Sequence, residues 1–306
     1  MRMRLQRLCS PLRLAIPASA RMRGSARARK GQDRASREIT IRFDFAGASE
    51  QSLSARERAS FRADFCRELA SLHTWLAHWR DPPRTLPVPE LYVLVSDGYK
   101  ISRALVPAWE RRSGVLEFPS WRVVSGKAAI LHELTHVHLP NGNRFLAEGL
   151  ATYLQALLGG NPAFPNFGRP LHGLARDGLL EIVSGKPGAL ASIGLAELDA
   201  TPTPNPLALA AAHQRYERQA DVQAVIYAIV GSFVEFLIES RGLERFQRLY
   251  HATPLSPGRL EAGAPERWSE IYSRTLADLE TEWKSLIVGR HRHETSNGRA
   301  RTHRLA

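Results

Sequence analysis

Residues 128–158 run AAILHELTHVHLPNGNRFLAEGLATYLQALL, two segments of helical apolar periodicity with Pro140, Asn141 and Gly142 between them. Pro and Gly stop helices, so the pattern predicts one helix over about residues 125–139 and a second over about 143–158, with Asn143 as N-cap of the second. The first contains His132-Glu133-Leu134-Thr135-His136, the HExxH pattern. Four residues along a helix turn through about 400°, so His132 and His136 share a face about 6 Å apart along the axis and can offer two imidazole nitrogens to one metal. Glu133, about 100° round, stays out of the ligand set yet near anything the metal holds. A chain of this composition yields about 0.03 such matches by chance. Context raises the specificity: Ala128, Ala129, Ile130 and Leu131 precede the motif and Val137 follows it. Burying three polar residues within five positions of a core helix is costly unless they share a partner such as a metal.

Zinc takes three protein ligands when it keeps an open position, and the second helix offers the third. Leu146, Leu150, Tyr153, Leu154 and Leu157 form its packing stripe, whereas Glu148 lies on the opposite face, bordered by Ala151 and Thr152. Gly149 and Ala151 beside it allow close approach of a neighbouring helix. Taken alone, Glu148 reads as a charge on a solvated face. Twelve residues after His136, across a tight turn expected to make the two helices antiparallel, it reads as a metal ligand.

Upstream, Ile39, Ile41, Phe43 and Phe45 alternate with polar residues as a half-buried strand does. Phe61, Phe65, Leu69, Leu72 and Leu76 form a helical stripe that ends before Pro82 and Pro83. Residues 91–95 read as a strand, and residues 115–124 as another extended run that Pro119 confines to a sheet edge. Downstream, residues 159–206 are rich in Gly and Pro, with a weak helical pattern at 190–198, and residues 216–240, 243–251 and 268–287 read as helices. The expected fold class is α+β, a mixed α/β amino-terminal half with the HExxH helix followed by an all-α carboxyl-terminal half. The expected division is a basic disordered tail or poor targeting segment (1–38), an α/β metal-site subdomain with the HExxH and glutamate helices (39–158), a Gly/Pro-rich connection (159–206), a helical subdomain (207–288) and a second basic disordered tail (289–306).

The 306 residues carry a net charge of +12, which invites a nucleic-acid reading, but the charge sits at the ends. Residues 1–38 hold eleven Lys and Arg against two acids, and residues 289–306 five Arg against one Glu, which leaves residues 39–288 at −1. Specific nucleic-acid binding is therefore not expected. The first tail has a basic start and an apolar stretch ending at Ala18-Ser19-Ala20, but Pro11, Arg13 and Pro17 interrupt it and four arginines follow, so a cytoplasmic location is slightly favoured over export. Two cysteines, Cys9 and Cys66, make neither a disulfide framework nor a Cys-rich zinc site. The longest apolar run, residues 224–238, is broken by Gly231, Ser232 and Glu235 and reads as a core helix, so no transmembrane segment is expected.

The string from Ala129 to Leu154, with its HExxH motif followed by Ala147-Glu148-Gly149-Leu150-Ala151-Thr152-Tyr153, resembles the gluzincin metallopeptidases, and most closely the peptidase MA-like domain proteins. The likeness extends to residues 115–124 as a cleft-edge strand, to residues 227–242, and to a closing Leu276, Leu279 and Trp283 pattern. The short turn between His136 and Glu148 departs from thermolysin-like and leucyl-aminopeptidase-like members, and Thr152 stands where thermolysin-like members carry an aspartate.

The resemblance implies a zinc metallopeptidase, a hydrolase with one Zn2+ per chain held by His132, His136 and Glu148, acting on a peptide or protein. Glu133 is the implied general base toward a metal-activated water. Tyr227 is the candidate donor to the oxyanion; a buried aromatic with a satisfied hydroxyl is the alternative. The edge strand could receive the substrate by β-addition. The competing reading is a non-catalytic zinc-binding protein of gluzincin fold that binds a partner or an anionic surface. His138, about 200° round from His136, reads as core or surface; His172, His213, His291 and His293 have no spacing that demands a ligand role.

Overall fold

The computed structural model describes residues 12–16, 37–49, 51–79, 88–105, 113–179, 194–200, 219–255 and 262–302. The alternation of Ile39, Ile41, Phe43 and Phe45 becomes the strand β2 (Arg37–Gly47), with all four side chains buried. Around it come β1 (Leu12–Ile16), α1 (Ala55–Leu76), β3 (Glu90–Ser96), β4 (Arg103–Leu105) and β5 (Ser113–Pro119). These strands make one sheet in the order β1-β2-β3-β5-β4. The three inner strands are parallel; β1 and β4 run antiparallel to their neighbours. β1 falls within the residues read as the amino-terminal tail, pairing Leu12 with Ile41 and Ile16 with Arg37. The rest of that tail lies outside the described residues, apart from Arg37 and Glu38 in β2.

The stripe of α1 packs on the sheet through aromatic edges. Phe65 meets Phe43 at 5.4 Å between ring centroids, and Phe61 meets Phe118 of β5 at 5.4 Å, geometries that favour edge-to-face contact. A capping box starts the helix: Ser54 Oγ accepts the Glu57 N–H, and the Glu57 carboxylate accepts the Ser54 N–H.

Residues 115–124 are not one extended run, and their strand is not an edge. β5 stops at Pro119 and the chain turns into α2 (Ser120–Val124), because the fixed φ of Pro119 (−64°) suits the residue that opens a helix. On one side β5 pairs with β3 throughout; on the other, β4 covers Val115, Leu116 and Glu117. Pro119 escapes the cost of a missing donor by being the last residue of the strand. The edge on that side of the sheet is β4.

Gly126, at φ +65°, ends the turn after α2, so α3 (Ile130–His138) starts later than the sequence pattern suggests. It lies directly on β5: a Cβ at Gly114 would come within 2.3 Å of Val137 Cγ1, so glycine is required for this approach.

The chain divides into two compact units, one comprising residues up to 139 with 158–161, the other residues 140–157 with those from 162 onward. The first holds the sheet with α1, α2 and α3. The second is helical: α4 (Arg144–Leu158), α5 (Leu171–Leu179), α6 (Leu195–Ala200), α7 (Gln219–Arg241), α8 (Leu243–His251), α9 (Glu266–Tyr272) and α10 (Leu276–Thr302). Its core gathers Phe145, Phe233, Trp268 and Trp283. The helix expected over residues 268–287 is broken in two by Ser273 in the left-handed region (φ 56°), and Thr275 with Asp278 caps the second piece reciprocally. α5 lies within the Gly/Pro-rich connection, and α10 runs on into the residues read as the second tail. The 223–241 part of α7 is long and apolar enough to cross a membrane, but 72% of its most apolar window is buried, as in a core helix.

Candidate metal centre

His132 and His136 point the same way from α3, as their spacing requires, with Nε2 atoms 3.2 Å apart and ring planes at 83°. Both are buried, and so is Glu133 between them. Nitrogens on a tetrahedral zinc, each about 2.05 Å from the ion, stand about 3.3 Å apart. The observed spacing therefore suits a shared ion as well as a shared proton. Glu148 is buried on α4, and one ligand atom from each of His132, His136 and Glu148 lies within 4.8 Å of the other two. Two imidazoles and one carboxylate form a donor set that zinc accepts while leaving one position open, so the residues present fit a divalent cation.

Several features hold α4 in place within its own unit. Asn143 is its N-cap, its Oδ1 accepting the Leu146 N–H at 3.1 Å. Asn143 Nδ2 donates to Asp199 Oδ1 at 2.8 Å and to the Ala262 carbonyl at 2.7 Å. Asp199 in turn pairs with the buried Arg267 and accepts the Trp268 indole N–H at 3.0 Å. Burial pushes the Asp199 carboxyl pKa upward, with Arg267 opposing it. The preceding turn is tied down as well, since Asn141 donates to the Tyr250 carbonyl and accepts from Thr253. Gly149, next to Glu148, faces α7 so closely that a Cβ would meet Val234 Cγ2 at 2.6 Å.

Charged neighbours that sequence reading passed over surround the cluster. Arg144, one turn before Glu148 at i−4, forms an ion pair with its Oε1. Arg122 of α2 is half-buried, which lowers its pKa, while the Glu133 carboxylate pulls the other way. The i,i+4 spacing of Arg144 and Glu148 is a visible signal; nothing in the sequence near Arg122 points to Glu133. Glu68 of α1 accepts the Leu131 N–H in the first turn of α3 at 3.0 Å.

Tyr227 is buried on α7 with its ring edge-on to Phe164 at 5.2 Å. His138 is fully buried against the His73 ring at 4.9 Å, and burial holds both imidazoles well below their ordinary pKa, His73 at about 4. His172 bonds the Ser232 hydroxyl at 2.7 Å in the helical unit. His213 and the side chains of His291 and His293 lie outside the described residues.

No protein-family model matches the chain. No curated protein matches it either. Among solved structures it is similar to a mutant of the M1 zinc metallopeptidase from Deinococcus radiodurans, at 16% identity and a TM-score of 0.42, over 81% of this chain and 48% of that one. The same mutant bound to a Tyr-Ser-Ala substrate aligns at 16% identity over the same shares, with a TM-score of 0.40. The chain thus spans about half the length of these proteins. Likeness at that level decides neither the fold nor the activity of this chain, and the functional reading rests on its own residues.

Proposed function

We propose that this chain is a zinc-dependent peptidase of the gluzincin type, with His132, His136 and Glu148 as metal ligands and Glu133 as general base. The observation that carries the reading is the mutual approach, within 4.8 Å, of ligand atoms from two histidines and a glutamate that are all buried. A solvated-face charge or a satisfied core histidine has no reason to converge this way.

Zinc held by these residues would supply Lewis-acid polarisation of a peptide carbonyl and would lower the pKa of a water toward about 7. Glu133, one position along α3 from His132, is the general base that would take a proton from the attacking water and return it to the departing amine. Arg144 pairs with Glu148 Oε1 and so helps to orient the carboxylate that would hold the ion. Tyr227 is assigned as the hydrogen-bond donor to the developing oxyanion. β-Addition of an extended peptide belongs to β4, the edge strand that packs against α3, rather than to β5.

The experiment is zinc content per chain together with hydrolysis of casein and a peptide library by wild type and Glu133→Gln. The reading expects zinc in both proteins and hydrolysis by the wild type alone. A metal-free wild type refutes it, and zinc without hydrolysis assigns the chain to the non-catalytic alternative.

A further inference from the structure

We propose that Glu68 is a positioning residue for the candidate metal centre, one buried carboxylate gripping both ends of the helical segment that carries His132, His136 and Glu148. The proposal rests on the metal-ligand assignment made above. Glu68 sits on α1, 1% exposed. Its Oε2 accepts the Leu131 N–H at 3.0 Å and its Oε1 the Gly160 N–H at 3.4 Å. Leu131 immediately precedes His132; Gly160 lies two residues beyond the end of α4.

Ala129, the N-cap of α3, has no side chain that can accept an amide. The Leu131 N–H is one of the donors that every helix leaves without an internal partner. Glu68 supplies from another element what Ser, Thr or Asp supplies locally, and its negative charge suits the amino-terminal end of the helix dipole. At Gly160 an added Cβ would press on the end of the Arg67 side chain at 3.1 Å.

Holding a carboxylate in this place is unfavourable for folding. Burial raises its pKa to about 7, even though both amides and Arg67 pull it down. An apolar side chain would avoid that cost but leave both amides unpaired; what the carboxylate adds is a grip on two donors at once, which fixes the rotation of α3. The imidazole nitrogens stand about 6 Å from the helix axis, and a turn of about 20° would carry them about 2 Å, several times the looseness a metal site tolerates.

The test uses the full-length chain loaded with Co(II), whose visible absorption reports ligand geometry without reference to peptide hydrolysis. Glu68→Gln is expected to weaken Co(II) at least tenfold and to alter the absorption bands. Glu68→Asp, which keeps the charge but reaches only one of the two amides, is expected to fall between. Leu72→Ala, a buried position on the same helix, is expected to lower the Tm while leaving affinity and spectrum as in the wild type. Wild-type affinity and spectrum in Glu68→Gln would overturn the proposal, as would an equal loss in Leu72→Ala. Should Glu68→Gln fail to fold, Glu68→Asp decides: no change in either readout overturns the proposal, and a threefold or greater loss with altered bands supports it. A wild type that takes up no Co(II) removes the ligand assignment and this proposal together. One that binds Co(II) yet cleaves no peptide removes the peptidase reading alone.

Discussion

Replacing Glu68 with Gln should flatten the pH dependence of folding stability in the metal-free protein. The carboxyl pKa rises from an ordinary 4.5 to about 7 in the folded chain, chiefly because burial penalises the charged form. Between those two values the folded state holds a proton that the unfolded state has released, so stability falls as pH rises through the window. Below about 4.5 both states are protonated and the group contributes nothing; above about 7 the full penalty applies. At about 1.4 kcal/mol per pH unit the gap amounts to about 3 kcal/mol. Arg67 and Asp64, the charged neighbours on α1, act on Glu68 in opposite directions; both are present in the two proteins, so their own effects cancel in the comparison. Urea unfolding with a chelator present, at intervals from pH 4.5 to 8, measures the difference directly. The stability of wild type relative to Glu68→Gln should decline by about 3 kcal/mol across the range. A difference independent of pH, or one that grows in favour of the wild type, would refute the reasoning.

Three further outcomes follow from the packing and from the assigned roles. Gly149→Ala places a methyl group 2.6 Å from Val234 Cγ2 and 2.9 Å from Val230 Cγ1 and should destabilise by about 1–3 kcal/mol, read as a lower Tm. Arg267→Met strands the buried Asp199 carboxylate; chemical denaturation should register a loss of about 3–5 kcal/mol, and an effect below 1 kcal/mol would show that the carboxylate finds another partner. Tyr227→Phe should lower kcat by about 10²–10³ with zinc per chain unchanged, whereas an unaltered kcat would return Tyr227 to the role of a buried aromatic.

The cluster was legible because its three residues fall within one short segment, and local rules dictate most of their geometry. The i,i+4 period put His132 and His136 on one face, and the Asn143 cap marked where α4 begins. β2, α1 and β3 were legible for the same reason, each announced by its own periodicity. What escaped depends on pairing across the chain. Glu68 acts on an amide 63 positions away, and no local pattern distinguishes it from the other charges of α1. The edge of the sheet was misplaced because β4 has only three residues, too few for a period to show, and because Pro119 at a strand end costs nothing. α5 buries Leu171, Leu174, Ala175 and Gly178 at helical spacing, yet its two glycines made the stretch look like a linker. The Thr275-x-x-Asp278 capping box that restarts the chain after Ser273 was readable and outweighed by the apolar stripe running through it.

Zinc stoichiometry by elemental analysis, on full-length protein dialysed against a zinc buffer, bears most directly on the convergence of His132, His136 and Glu148. The account predicts one zinc per chain in the wild type and none retained when His132 and His136 are both replaced by Ala. A wild type that leaves dialysis without zinc, or a double variant that keeps as much as the wild type, would contradict it.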